Sequence, residues 1–553
     1  MHTKNDHNLQ IKGRRPWPVL TIAGALLALL SVGLIFIGDA PLSKGQAIII
    51  RAPENETLAG TYYPGMKPVG IILLEGFGSD QVTMRSAASE FARSGLHVLT
   101  FDFSGHGRSP GALAFDNAAT DRLARQVLAA KDVLSERSGL NDAEIFLLGH
   151  SMGARAGLQA ATINADPFAG LILMGTQVNL ATNVQSEVFT GVRDADLGWV
   201  QRLGPNMPPE PILLISGRWD DILTPEGAEL LYDKLTGGQE ETNRDLVIFD
   251  RLLHNYEVFS PRILRKAKGW IEFHSEVSLS TATPVAMRRL LLWVTGWLGL
   301  IGAVLAAERW AVASLTADSP KTSIRIVKLQ RFLWAKLWLW IAALPLIAVV
   351  FAIYWFVPLA TPVFNLIYVG FIGGYGLLMA LLYGMGKMPG VSGKLNLWKD
   401  SEIMPSGRRL LLASVVELAL LAFTAAYAQT GWFYVPPTGT RFLWVLLFIP
   451  PTALGFRIGH HEANMLAEAA PQSNFARPWL TAVGLLPFFL WTGFQAAIGS
   501  LSGMVAGVQG LLILALVLAA GDFLARLIRK AWYVALFQAV LLYWLVLPQG
   551  VLF

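Results

Sequence analysis

The residue best placed to do chemistry in this chain is Ser151, set in GHSMG (149–153) between the apolar run EIFLLG and the helical pattern ARAGLQAATI. A Gly-x-Ser-x-Gly turn at a strand-to-helix junction forces its serine into a strained, exposed position, and small flanking residues keep that turn free of clashes. Such a serine attacks an acyl carbon once an imidazole within hydrogen-bond reach accepts its proton. The bland alternative is a helix N-cap, a position that serine favours anyway. Five residues alone do not choose between these; the strand-turn-helix setting favours the nucleophile. The chain has no cysteine, which excludes a thiolate nucleophile, a disulfide framework and a cysteine-ligated zinc.

The elements that would hold this serine lie between Ser43 and Ser278. Here the runs IILLE (71–75), HVLTFD (97–102), EIFLLG (144–149), LILMG (171–175), ILLIS (212–216) and DLVIFD (245–250) alternate with amphipathic helical patterns. Nearly continuous apolar strands of this kind are buried on both faces, and intervening helices imply a mostly parallel sheet with helices on both sides.

With the elbow in this context, residues 43–278 resemble the α/β-hydrolase family. That resemblance implies a triad in the order serine, acid, histidine. Asp220, in SGRWDDILTP after the strand ILLIS, stands where the family places its acid, three residues after Gly217; Asp221 is the runner-up. His254, in RLLHNYE after the last strand, stands where the family places its base. His274 falls too late, within the last helical pattern. The implied oxyanion hole takes one donor from the amide of Met152 and a second from the loop EGFGSD (75–80), with Phe77 as the donor. Glu75 stands where many relatives have histidine, which leaves the backbone role intact. FDFSGHGRSPG (101–111) also looks like the family, and His106 reads as a turn-stabilising residue there. The implied activity is that of an esterase, lipase or lysophospholipase, and the family also contains peptidases and acyltransferases. The segment 176–210 occupies the place of a lid and is short.

Apolar residues make up 53% of the chain and charged residues only 15%, with 18 Trp and 29 Phe. Water-soluble domains carry about 25% charged residues, so part of this chain belongs in lipid. A basic stretch (Lys4, Lys12, Arg14, Arg15) precedes an uncharged run over 17–38, long enough for a membrane anchor. A cleaved leader competes with that reading, since GDA ending at Ala40 has small-residue cleavage chemistry. Beyond Arg289, long uncharged stretches read as eight further spans, about 290–307, 334–357, 363–385, 410–428, 441–458, 479–500, 504–521 and 531–548. The expected architecture is therefore an α/β-hydrolase domain joined to an α-helical polytopic membrane domain over 289–553.

Lysine and arginine set the expected orientation. Alternate loops carry Arg309, Lys321, Arg325, Lys328 and Arg331; Lys387, Lys394, Lys399, Arg408 and Arg409; Arg477; and Arg526, Arg529 and Lys530. The opposite loops 358–362, 429–440 and the turn near Ser502 carry none, and Arg288, Arg289 and Arg441 are exceptions at span ends. This bias puts residues 1–16 in the cytoplasm and the hydrolase domain outside it.

Among the remaining polar residues, His460, His461 and Glu462 read as an interfacial polar cap, because adjacent histidines diverge on a helix. Glu417 is costly in lipid and reads either as a functional group or as helix-packing glue. Gln495 and Asn365 read as interhelical hydrogen-bonding residues, and Trp432, Tyr434 and Trp444 as an interfacial aromatic belt. No Walker loop, dinucleotide fingerprint or zinc-protease motif occurs, so no cofactor is implied. The expected partners are the bilayer and an acyl-bearing or lipid substrate, with no nucleic acid. A transporter-like membrane module with a coupled hydrolase is the alternative.

Overall fold

A computed structural model describes residues 16–113, 119–176, 178, 198–239, 243–279, 286–314, 324–397, 405–470, 473 and 475–553. The basic residues before Pro16, most of the expected lid (179–197), Lys321 and Lys399 lie outside the described residues.

Eight strands form one sheet: β1 (Gln46–Ala52), β2 (Glu56–Tyr63), β3 (Gly70–Leu74), β4 (His97–Phe101), β5 (Ile145–His150), β6 (Gly170–Met174), β7 (Ile212–Gly217) and β8 (Arg244–Phe249). Their spatial order is β1-β2-β4-β3-β5-β6-β7-β8. Strands β3 to β8 pair in parallel, and β2 pairs antiparallel with both β1 and β4. The six parallel strands are the six apolar runs. Alternate residues serve opposite faces: Ile72 and Leu74 pack with one apolar cluster, Ile71 and Leu73 with the other. The first cluster takes in α3 (Ala119–Ser138) and α4 (Met152–Ile163); the second takes in α2 (Arg85–Arg93) and α7 (Pro261–Ser275). Two short helices complete the domain, α5 (Gly198–Arg202) and α6 (Pro225–Thr236).

Strands β1 and β2 were not among the expected strands. In β1 Ile48 and Ile50 are buried while Ile49 is 73% exposed, so this edge strand covers one face only and its apolar run is not read as core.

Helix α1 (Trp17–Gly38) precedes the sheet and lies against α8 (Ala286–Ser314), the first helix after it. They meet at Gly24 and Gly299, where a methyl group on either would come within 2.8 Å of the other's carbonyl oxygen. Small residues permit such close approach between helices in lipid. Further helices follow: α9 (Leu329–Trp355), a π-helical segment (Val369–Gly374) leading into α10 (Tyr375–Met385), α11 (Gly407–Ala428), α12 (Thr440–Ala469), α13 (Ala476–Gly484), α14 (Leu486–Ala497), α15 (Leu501–Ile528) and α16 (Ala531–Val546). Among the described residues eight helices, α1 included, are long and apolar enough to cross a membrane. The run expected as one span over 479–500 is instead a pair, Pro478–Gly484 and Leu486–Ala497, bent by 70°.

Three expectations for this region are corrected. Trp444 is fully buried, with its indole N–H donating to the Ala360 carbonyl at 2.8 Å, so it is bundle core and not an interfacial belt residue. Tyr434 lies under the sheet domain, beneath the Arg108 guanidinium at 3.7 Å. Glu462 is no interfacial cap: it is buried, 2.8 Å from Lys336 Nζ, and accepts the Tyr383 hydroxyl at 2.8 Å. Ion pairing and the phenol replace the water that an interfacial carboxylate would have. Glu417 accepts the Tyr533 hydroxyl at 2.6 Å, linking α11 to α16, and Asn365 donates to the Val546 carbonyl at 2.7 Å.

Candidate active site

Ser151 separates β5 from α4 with φ 54° and ψ −119°, a conformation that side-chain-bearing residues rarely adopt. Helix α4 presses on the sheet so closely that a methyl group at Gly153 would sit 2.3 Å from the Glu75 carbonyl oxygen. The turn is held by the Ser151 N–H donating to Met174 O at 2.9 Å. Strained backbone of this kind persists where the surrounding structure over-determines it.

The loop after β7 carries Asp220 and the turn after β8 carries His254, both buried. His254 Nδ1 lies 2.7 Å from Asp220 Oδ2, and Asp220 Oδ1 accepts the amides of Ile222 and Leu223 at 2.9 and 2.8 Å. One carboxylate oxygen thus fixes the loop and the other fixes the imidazole. His150, the neighbour of Ser151, has Nε2 3.0 Å from the His254 carbonyl, with the two rings 4.7 Å apart. This brings the serine and histidine turns against each other. Burial, and secondarily His254, pushes the His150 imidazole down to about 3, so it is neutral at ordinary pH. Asp221 points elsewhere, accepting the Ser502 hydroxyl and amide.

The loop expected to complete the oxyanion hole lies over the elbow: a methyl group on Gly76 would come 3.3 Å from Ser151 Cβ. Met152 opens α4 beside it. Phe77 packs edge-on to His106 and Phe364 and tilts against Phe553. His106 is buried, its Nδ1 3.2 Å from the Ser104 carbonyl, and burial holds it at about 3.

Sequence reasoning missed Glu257. It is fully buried, and Oε1 accepts the Gly217 amide at 2.7 Å, tying the histidine turn to the end of β7. Burial first, and Asp220 second, raise its carboxyl well above the ordinary range. The only hint was its place three residues after His254. His150, His254 and Glu257 offer ligand atoms within 4.8 Å of one another. His150 Nε2 is spent on a carbonyl and His254 Nδ1 on Asp220, so the trio fits a hydrogen-bonded support better than a metal centre.

Sheet order and sequence comparison agree on the fold. The family described as serine aminopeptidase, S33, matches residues 68–210, from just before β3 through the elbow to the approach to β7. The strand-bearing domain is an α/β-hydrolase. Relatives of this hydrolase domain include an uncharacterized protein of Mycobacterium tuberculosis, 25% identical over 232 residues, which span 39% of this chain and 75% of that protein. A monoglyceride lipase homolog of monkeypox virus is 31% identical over 129 residues, 23% of this chain and 45% of that protein. Among solved structures, a Pyrococcus furiosus esterase covers 41% of this chain and 91% of its own at 20% identity (TM-score 0.33). A Xanthomonas campestris serine hydrolase without a lid covers 44% and 98%, also at 20% identity (TM-score 0.32).

The loops at the catalytic edge of the hydrolase domain abut the helical domain. Arg441 of α12, buried, donates to the carbonyls of Gly107 at 2.8 Å, Gly105 at 2.6 Å and Gly550 at 2.8 Å. Leu552 bonds by its amide to Gly105 and by its carbonyl to Leu113. Asp80 accepts the Tyr434 amide at 2.9 Å. Asp80, Asp102 and Glu75 form a buried acidic group beneath the oxyanion loop; burial raises all three carboxyls, and Arg441 partly offsets this. Arg289 of α8 bridges Asp39 and the Thr430 carbonyl. Arg289 and Arg441, exceptions to the charge bias, are thus residues that tie segments together on the hydrolase side.

Proposed function

We propose that this protein cleaves carboxylic esters or thioesters of acyl lipids, through Ser151 as nucleophile, His254 as base and Asp220 as its carboxylate partner. The observation that carries the reading is the 2.7 Å bond between His254 Nδ1 and Asp220, set against a serine held at φ 54° on the adjoining turn. With Nδ1 occupied, Nε2 is the nitrogen available to take the serine proton. Ser151 Oγ attacks the acyl carbonyl, His254 accepts the proton, and the developing oxyanion is met by the amides of Met152 and Phe77. The alcohol or thiol departs with the proton returned by His254, and water hydrolyses the acyl-enzyme by the same route. Asp220 keeps the imidazole in the required tautomer and stabilises its charged form.

A lipid substrate is supported by where the catalytic loops sit. Phe77 meets Phe364, which is 54% exposed at the start of a membrane-spanning segment, and Asp221 and Tyr256 meet Ser502 and Gln509 at the start of another. The loops poor in lysine and arginine are those that touch the hydrolase domain, which supports an extracytoplasmic site.

The test is labelling of intact cells with a membrane-impermeant fluorophosphonate. Wild type labels and Ser151→Ala does not; persistent labelling of the variant removes the assignment, and labelling only after lysis reverses the sidedness. Turnover of acyl lipids in liposomes should exceed that of short water-soluble esters. Faster cleavage of aminoacyl amides than of either would move the protein among the peptidases.

A further inference from the structure

The half of the helical domain far from the hydrolase holds a half-open cavity of about 370 Å³. Three breaks in helical regularity converge on its wall. The π-helical segment supplies Phe371 and Ile372, the 70° bend supplies Gly484 and Leu485, and α12 supplies Gly455, four residues past the Pro450-Pro451 pair. Irregular backbone at membrane depth is tolerated where it is buried in protein or lines a cavity, and broken helices commonly mark binding sites.

The wall is also graded in polarity. Helix α15 runs from its hydrolase-side end at Leu501, and Leu514 and Leu518 line the cavity about 20–25 Å along it, near the middle of a bilayer. Asp522, one turn further, also lines it, as do Glu308, Lys336, His460 and Glu462, each in the half of its own helix far from the hydrolase. Lys336 and Glu462 are almost fully excluded from solvent, a costly arrangement in lipid that usually marks function. The Lys336 ammonium also lies 4.4 Å from the Tyr375 ring centroid. Apolar walls toward the midplane and charges of both signs toward the far surface match a molecule with a tail and a head that carries both charges.

We infer that this cavity binds a single-chain amphiphile with a zwitterionic phosphate-and-amine head, its head among Lys336, Glu462 and Asp522 and its tail running toward Phe371 and Leu514. The site is separate from the elbow and does not rest on the role assigned to Ser151. A one-chain lipid suits a volume near the low end of the 300–1,000 Å³ that small-molecule sites span.

The test uses full-length protein carrying Ser151→Ala, so that the hydrolase cannot consume the probe, in phosphatidylglycerol nanodiscs. A lysophosphatidylethanolamine with a diazirine in its acyl chain is photolysed and its attachment sites are mapped by peptide mass spectrometry. Attachment is expected on the segments around Phe371 and Leu514. About a tenfold excess of unlabelled lysophosphatidylethanolamine should reduce it about tenfold by mass action. Ala515→Trp, which fills the wall, should reduce it similarly, while Val508→Trp, 43% exposed on the same helix and outside the cavity wall, should leave it unchanged. Labelling spread over lipid-facing helices, or unaffected by competitor in the unfilled protein, overturns the inference. Equal competition by a fatty acid overturns the zwitterionic class. Attachment confined to Phe77 and Phe364 assigns the lipid to the hydrolase instead.

Discussion

The membrane domain holds the two sides of the candidate active site very differently. On the oxyanion side, a buried guanidinium, the Leu552 backbone pairing and the Phe77–Phe364–Phe553 cluster lock the loops over 75–113 to the helices. On the acid and histidine side, the described polar contacts are fewer, Ser502 on Asp221 and Gln509 on Tyr256 at 3.3 Å, beside one ring contact of Phe259 with Trp293 at 6.3 Å. Oxyanion donors must be preorganised before charge develops, so rigidity belongs on their side. The contact at Asp221 is made by one residue, through the hydroxyl and amide of buried Ser502 at the start of α15.

The sharpest way to break this comparison is at the adjacent aspartates. Asp220→Asn should lower ester turnover by about 10⁴-fold through the wrong imidazole tautomer. Asp221→Asn should change it only a few-fold, since its partner is Ser502. Equal losses in a p-nitrophenyl ester assay would mean that the two carboxylates share the task.

Next in size is Arg441→Ala. It strips three carbonyls and a buried acidic group of their cation, and should cost about 3–5 kcal/mol, read as a large fall in unfolding temperature in detergent. An unchanged melting temperature would mean that the oxyanion side is not the firmly held one.

Acid should also act on that side. His106 is held at about 3 in the fold, against 6.5 for an ordinary histidine. Between those values the unfolded chain binds the extra proton, so this group's contribution to stability falls as pH drops from 6.5 toward 3, by about 1.4 kcal/mol per unit. The carboxyls of Glu75, Asp80 and Asp102 are raised and act oppositely, contributing most in acid and losing that contribution as pH rises. Subtracting the profile of His106→Asn isolates the histidine; parallel profiles would contradict its burial in the neutral form.

The smallest expected effect is from Ser502→Ala, about 0.5–1.5 kcal/mol for a lost hydrogen bond. Its informative readout is the ratio of lipid to short-ester turnover, which should move if that side gates access. A ratio that stays fixed places the entry elsewhere.

Much of the strand-bearing domain was legible because the chemistry is local. The elbow is five consecutive residues, and strands covered on both faces announce themselves as apolar runs. Strands β1 and β2 were not legible: QAIIIRA offers only a short apolar run and ETLAGTYY mixes polar and small residues, whereas β8, at the other edge of the sheet, announces itself as DLVIF. Which of two neighbouring aspartates meets His254 was settled in the structure by a partner 281 residues further on, Ser502, which no local pattern around Asp221 reveals. In the helical domain, hydropathy located the apolar stretches but not the break at Leu485. Length and apolarity are the same for one straight span and for two half-helices at 70°. Trp444 illustrates the same limit: aromatic residues near a span end suit a lipid interface and a helix core equally well until the neighbouring helices are in place.

The crossing of α1 and α8 at Gly24 and Gly299 carries a consequence for biogenesis. The chain leaves the bundle and returns to it at one point, with the whole hydrolase made in between. During synthesis α1 is therefore made more than two hundred residues ahead of the helix it packs on. A bulky residue at position 24 should consequently spare insertion of α1 and fail afterwards, when its late partner arrives and finds no groove to enter.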